Sequence, residues 1–223
     1  MKGCFETVDA SEKIFVIGDI HGCLDMLNRL LEKVPWRPGR DTLIFIGDYI
    51  DRGKDPKEVV DLIVSLQKGF PHVHCLKGNH EGMLLDYLLG VNRDVYLANQ
   101  GHTTLRSYSM VSEQSAEGKI LPEHMEFFHS LKPYLEVGDY YFVHAGFRPG
   151  TAIHCQCEED LLWIREPFIS TPYDFGRKVI FGHTPFVEPL VMKNKIGIDT
   201  GAVFGNKLTC IELPHQRFYS VRA

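Results

Sequence analysis

Six residues with metal-binding or proton-transfer chemistry share one setting. Asp19, His21, Asp48, Asn79, His144 and His183 each lie at the end of an apolar, strand-like run, in or beside a glycine-containing turn. They offer only oxygen and nitrogen donors. Carboxylates mixed with imidazoles suit borderline divalent ions such as manganese, iron or zinc better than a thiolate site or an all-oxygen calcium cage would. Six donors exceed what one tetrahedral zinc takes and match two ions that share a carboxylate. Two ions about 3.5–4 Å apart that share a hydroxide can clamp a phosphoryl group during its transfer. That chemistry also needs cations for the phosphoryl oxygens and a proton for the leaving oxygen. The guanidinium groups of Arg52 and Arg165 suit the first need, and His80 suits the second.

Regular elements must bring these distant residues together. Residues 13–17 read as a buried strand, and Leu24, Leu27, Leu30, Leu31 and Val34 recur as a helical stripe that Pro35 and Pro38 stop. Residues 43–46 read as a second strand. Pro56 then opens a second amphipathic helix, which Val59, Val60, Ile63, Val64 and Leu66 carry to Gly69 and Pro71. With a third strand at 72–76, the βαβαβ pattern implies parallel pairing through right-handed crossovers. Its polar turns then emerge at one sheet edge, where open α/β folds place ligands, and Asp19, His21, Asp48, Asn79 and His80 converge. Residues 82–132 read as helical, with Met83, Leu84, Tyr87 and Leu88 on one face and a polar link at 107–118. No site residue is assigned there. Short strand-like runs follow at 134–137, 140–143, 179–181, 196–198, 208–213 and 218–221.

The ordered segments GDIHG (18–22), GDYIDRG (47–53), GNHE (78–81), HAG (144–146) and GHTP (182–185) resemble the signature of the PPP-type serine/threonine protein phosphatases, within the calcineurin-like metallophosphoesterases. The similarity covers nearly the whole chain, residues 14–213, and best fits the compact bacterial and phage branch, which has a similar WxRE segment (163–166) and a similar ending at 198–204. Eukaryotic members commonly carry HGG where this chain has His144-Ala145-Gly146, a change that leaves the histidine intact. The resemblance implies a calcineurin-like α/β fold: a central β-sandwich flanked by helices, with a dinuclear metal site at strand ends and one catalytic domain spanning 1–223. It implies that Asp19 and His21 bind one ion, that Asn79, His144 and His183 bind the other, and that Asp48 bridges them. Manganese is the expected metal, with iron or zinc as alternatives. Arg52 and Arg165 would hold phosphate, and Asp51 would orient His80 and keep it protonated.

The implied activity is hydrolysis of phosphoserine or phosphothreonine in a protein or peptide, with phosphotyrosine as a further substrate. Attack would come from a metal-bridging hydroxide, without a phosphoenzyme. An alternative is symmetrical diadenosine tetraphosphate hydrolysis at a similar metal site. Enzymes of that kind usually show GNHD and lack the aspartate of the DRG triplet, so Glu81 and Asp51 favour the protein phosphatase. A non-catalytic scaffold on the same fold is disfavoured, because each catalytic and ligand position is retained.

Composition limits the other classes. A net charge of -5 over 223 residues argues against nucleic-acid binding, which needs a strongly basic surface. Hydrophobic content of 44% and charged content of 24% are those of a globular protein, and the length fits one domain. No apolar run approaches the roughly 18 residues of a membrane span, and the first residues lack the apolar core of a signal peptide. The expectation is a cytoplasmic monomer. Cys4, Cys23, Cys75, Cys155, Cys157 and Cys210 are scattered and read as reduced thiols. His154-Cys155-Gln156-Cys157 lacks the ligand spacing of a structural zinc site and reads as a loop holding two thiols. Taken singly, Asp48 could cap a turn and Asp51-Arg52 could be a surface ion pair; their ordered companions reverse that reading. Gly53-Lys54 lacks the spacing and hydroxyl of a phosphate-binding P-loop. Asp199 is either a turn former before Gly201 or a neighbour of the site.

Overall fold

The computed structural model describes residues 13–110 and 120–223. The expectations for the amino terminus, including Cys4, and for residues 111–118 of the polar link lie outside the described residues. Strand β1 (Ile14–Ile17) alternates its side chains between two cores, Ile14 and Val16 to one and Phe15 and Ile17 to the other. Parallel to it run β2 (Thr42–Phe45) and β3 (Val73–Cys75), in the register Ile14 with Thr42 and Leu43 with Val73. The crossovers contain helices α1 (Leu24–Lys33) and α2 (Pro56–Gly69), as the apolar stripes predict. In α2, Pro56 sits in the first turn, where its missing N–H costs nothing; α1 ends at Val34, whose extended backbone suits the residue before Pro35. Antiparallel β9 (Lys207–Leu213) and β10 (Arg217–Arg222) extend the sheet beyond β1, in the order β10-β9-β1-β2-β3.

A second sheet contains β4 (Tyr134–Val137), β5 (Tyr140–Val143), β6 (Lys178–Phe181), β7 (Leu190–Val191) and β8 (Lys195–Gly197), in the order β4-β5-β6-β8-β7. Its three central strands are parallel and its edges antiparallel. The two sheets close on one another through Val16, Ile44, Ile46, Phe142, Ile180 and Ile196, all fully buried. Each such side chain stabilises the sandwich by about 1.5–3 kcal/mol relative to exposure.

Helices cover both outer faces. On the first sheet, α3 (Asn79–Leu88), α4 (Arg93–Ala98), α5 (His102–Ser107) and α6 (Pro122–Ser130) join α1 and α2 around Phe15, Leu43 and Phe45. The second sheet packs Val143, Val179 and Phe181 against Leu161 of α7 (Glu158–Trp163) and against Phe168. Two elements were not anticipated: β7 is only two residues long, and α7 opens on three acidic residues with too few turns to show a stripe. Cys155 and Cys157 are exposed beside a 3-10 turn, and the Cys157 thiol donates to Asp160. No helix among the described residues is long and apolar enough to cross a membrane.

Candidate active site

The turns after β1, β2, β3, β5 and β6 meet, and they reach one another through unusual backbone. His21, Asp48, Asp51, Arg52 and His183 all adopt positive φ, between 46° and 68°. For non-glycine residues this costs about 1–2 kcal/mol each, and it clusters where side chains are forced towards a common point. Neighbouring glycines supply the room. A Cβ on Gly78 would collide with the Asp48 carboxylate, and one on Gly182 with that of Asp19.

Asp48 lies at the centre. Its Oδ2 is 3.3 Å from His21 Nε2, its Oδ1 is 3.5 Å from His144 Nε2, and Oδ1 also accepts the His80 backbone N–H at 3.1 Å. Backbone carbonyls orient two of the imidazoles: His21 Nδ1–H donates to Ile50 at 2.8 Å and His144 Nδ1–H to Ile46 at 2.9 Å. Both Nε2 atoms are thereby aimed inward. Asn79 Oδ1 lies 2.9 Å from His144 Nε2 and 3.0 Å from His183 Nδ1. Asp19 accepts the His183 backbone N–H on both carboxylate oxygens, at 3.2 and 3.0 Å. Asp199 is buried beside these groups, and its Oδ1 accepts the Gly201 N–H at 2.9 Å, so the turn-forming and neighbouring readings both describe it.

His80 faces a different network. Its Nδ1–H donates to Asp51 Oδ2 at 2.7 Å, and Asp51 Oδ1 accepts the Tyr96 hydroxyl at 2.8 Å and the Thr104 hydroxyl. Thr104 in turn accepts the Asp51 N–H at 2.9 Å. Tyr96 and Thr104 come from α4 and α5, in the stretch where the sequence reading assigned no site residue. Glu81 also has a role the sequence did not reveal. Its carboxylate accepts three backbone N–H groups, from Asp48 at 3.0 Å, Tyr49 at 2.9 Å and Gly78 at 2.9 Å, and so ties the turn after β2 to the turn after β3. The two arginines are placed differently. Arg52 has a buried Nε with no hydrogen-bond partner among the described residues, and its guanidinium lies 5.3 Å from the Phe204 ring centre. Arg165 is exposed, with Nε 3.4 Å from His183 Nε2.

Residues 12–208 match the family described as calcineurin-like phosphoesterase. The chain belongs to that family. A bis(5'-nucleosyl)-tetraphosphatase PrpE [asymmetrical] of Oceanobacillus iheyensis is 30% identical, over 94% of this chain and 92% of its own. Serine/threonine-protein phosphatase 1 of Salmonella typhimurium is 32% identical over 88% and 89%. A solved structure assigned provisionally as a diadenosine tetraphosphatase shares the fold, with a TM-score of 0.78 at 22% identity over 98% of this chain and 96% of that one.

Calcineurin-like phosphoesterases use divalent metals, and the donor set here fits them. Among the described residues, two groups of side chains have ligand atoms within 4.8 Å of one another: His21, Asp48 and His80, and Asp48, His144 and His183. Asp48 is common to both. The first group contains His80 where the sequence reading has Asp19, whose oxygens instead meet the His183 backbone. In the second, the inward lone pairs of His144 and the oxygen of Asn79 face each other with no proton between them, an arrangement that a cation relieves. Burial holds His144 below the ordinary imidazole range, and burial together with His144 lowers His183 to about 3, so both rings present lone pairs.

The remaining charges predict how the metal-free phosphoesterase responds to pH. Burial, then Asp199 and Asp48, raise the Asp19 carboxyl, and burial and Asp48 push Glu81 up to about 8. Burial, the largest single influence, lowers the His21 pKa, but the charge of Asp48, the hydrogen bond to its carboxylate and the Ile50 carbonyl together outweigh it, and the net direction is upward. Each raised group holds a proton in the fold that the unfolded chain has released, so its contribution to stability is lost as pH rises through the folded value. The depressed histidines work oppositely, but their contribution is complete above the unfolded value of about 6.5. Chelator-stripped protein is therefore expected to melt at lower temperature at pH 8 than at pH 6.5, and added manganese to remove that slope. Calorimetry showing a flat or rising profile without metal would contradict these charge assignments.

A second expectation concerns the network beneath His80. Tyr96→Phe removes one hydrogen bond to the Asp51 carboxylate, which should cost about 1.5–3 kcal/mol in denaturant unfolding. The His80 ring also loses part of the support of its anchor. Slower hydrolysis of alkyl phosphates is expected alongside the loss of stability; unchanged stability and rate would mean that Tyr96 merely fills space.

Proposed function

We propose that this phosphoesterase hydrolyses dinucleoside tetraphosphates, cutting them asymmetrically into a nucleoside triphosphate and a nucleoside monophosphate. The observation that carries this reading is the end-to-end similarity to a curated relative named for that activity. It differs from the sequence reading, which favoured protein phosphatase activity on the strength of Glu81 and Asp51. Both residues are fully buried. Glu81 spends its carboxylate on backbone N–H groups and Asp51 on His80, Tyr96 and Thr104. Neither is exposed to a substrate, so neither discriminates between phosphoprotein and dinucleotide. Protein phosphatase activity stays as the second reading, supported by the Salmonella typhimurium relative.

In this scheme Asp48, His21, Asp19, Asn79, His144 and His183 would hold the divalent metal. When bound, such a metal polarises phosphoryl oxygens and makes water a stronger nucleophile at neutral pH. The protein's own groups do the rest. Arg52 and Arg165 pair with phosphoryl oxygens through N–H donors, balancing the charge that the mostly buried carboxylates would otherwise repel. Water adds its oxygen to phosphorus, the bridging P–O bond breaks, and the leaving oxygen takes a proton from His80 Nε2. The proton released by water passes to solvent.

The test is turnover by chelator-stripped protein resupplied with manganese, on diadenosine tetraphosphate and a phosphoserine peptide in parallel. The expected result is manganese-dependent formation of ATP and AMP, faster than release of phosphate from the peptide. Two ADP would mean symmetrical cleavage, and faster peptide dephosphorylation would reinstate the phosphatase. Inactivity on both would favour a scaffold.

A further inference from the structure

We propose that the cleft between α3, α4 and α7 is a nucleoside subsite, with Trp163 as the surface on which a base stacks. This rests on the dinucleotide reading and names where one end of such a substrate goes. The cleft has a volume of about 370 Å³, within the usual range for small-molecule sites, and Asn79 contributes to its wall. That same Asn79 lies between His144 and His183, so the cleft borders the candidate metal centre.

Trp163 is a large aromatic residue at the wall of this cleft and is 41% exposed. Its ring makes a T-shaped contact with His183 at 5.9 Å, which fixes the indole beside the reacting centre. Buried Met83 and Leu162 and exposed Val95 supply apolar surface for a base. Phe204 also lies near the site and is more exposed, but the Arg52 guanidinium already faces its ring.

Charge decides which part of the substrate enters. Asp86, Glu158 and Glu159 line the cleft, and its lysine, Lys77, is paired with Glu158 at 2.5 Å. A polyphosphate is repelled from such a lining, while an uncharged nucleoside is not. Carboxylates accept hydrogen bonds from ribose hydroxyls and from an exocyclic amine, and Asn92 at the rim can donate or accept. The phosphate chain then stays between Arg52 and Arg165 while the base lies against Trp163. A lysine-rich peptide is the competing occupant that the same charge admits.

Fluorescence provides the test, because the chain has two tryptophans and the other, Trp36, is engaged through its Nε1–H with the Asp41 carbonyl at 3.1 Å. Titrating ADP into metal-free protein should quench emission saturably in wild type and in Trp36→Phe, and not in Trp163→Phe. For hydrolysis, Trp163→Ala should lower kcat/KM for diadenosine tetraphosphate relative to inorganic tripolyphosphate by at least about fivefold, with Trp163→Phe retaining most of the preference. The ratio cancels damage passed to His183. If wild type cleaves the dinucleotide but ADP does not quench and the ratio is unchanged, the subsite is wrong and the proposed function stands. If ADP quenches through Trp163 while the dinucleotide is not cleaved, the subsite stands and the proposed function falls. Quenching by a lysine-rich phosphopeptide and not by ADP overturns the nucleoside assignment.

Discussion

Asp48→Asn is expected to lower turnover by at least about 10³-fold, more than the 10–100-fold typical of groups that only orient a metal ligand. Asp48 faces His21 at 3.3 Å and His144 at 3.5 Å, and it is the residue common to both possible metal groups. Removing its charge weakens both groups together. The substitution is a clean one, because asparagine is nearly isosteric and tolerates the positive φ of 53° better than most residues do. Its amide oxygen can still accept the His80 N–H. The metal-free variant should still fold, with a melting temperature at or somewhat below wild type, since despite burial His144, His80 and His21 hold the Asp48 carboxyl well below the usual carboxylate range and its charge stabilises the fold. The measurement is kcat together with bound metal by elemental analysis. Wild-type turnover with two ions bound would remove Asp48 from the centre.

What the sequence revealed about this site follows the distance over which each signal acts. The apolar stripes of α1 and α2 and the runs of β1, β2 and β3 are local, and they were enough to place the first three polar turns at one edge. Parallel pairing of those strands bears out that placement. The chain turns carrying His144 and His183 stood out because each follows an apolar run with glycine alongside. Their contact with Asn79 joins residues 65 and 104 positions apart, and no periodicity encodes that.

Tyr96 and Thr104 were invisible for a related reason. Both lie on short helices, and each reaches Asp51 across about fifty residues of chain, 45 and 53 by number. A tyrosine or threonine on an amphipathic helix ordinarily reads as packing. The usable clue was Asp51 itself: a carboxylate that is fully buried must find several donors, and His80 could supply one. Glu81 misled in the opposite direction. Its place in GNHE favours a protein phosphatase by resemblance, whereas its oxygens hold three backbone N–H groups, a positioning role that only the tertiary structure exposes.

His80→Asn is the second large effect, and its size should depend on what leaves. An alkoxide leaving from phosphoserine has a conjugate acid nearly as weak as water and departs poorly without a proton. A nucleotide leaving from a polyphosphate is a phosphate group, whose second pKa is about 6, and departs readily. Asparagine can donate a hydrogen bond but cannot surrender a proton at neutral pH. Hydrolysis of a phosphoserine peptide should therefore fall by about 10²–10⁴-fold, while diadenosine tetraphosphate hydrolysis falls by about tenfold or less. Metal content should be unchanged if His80 is not a ligand, and this is the measurement that separates proton transfer from its grouping with His21 and Asp48. Equal losses on both substrates with both ions retained would mean that His80 serves the phosphoryl group by charge and hydrogen bonding. The buried support from Asp51, Tyr96 and Thr104 would then fix the direction of Nε2 for binding, with no proton delivered to the leaving oxygen.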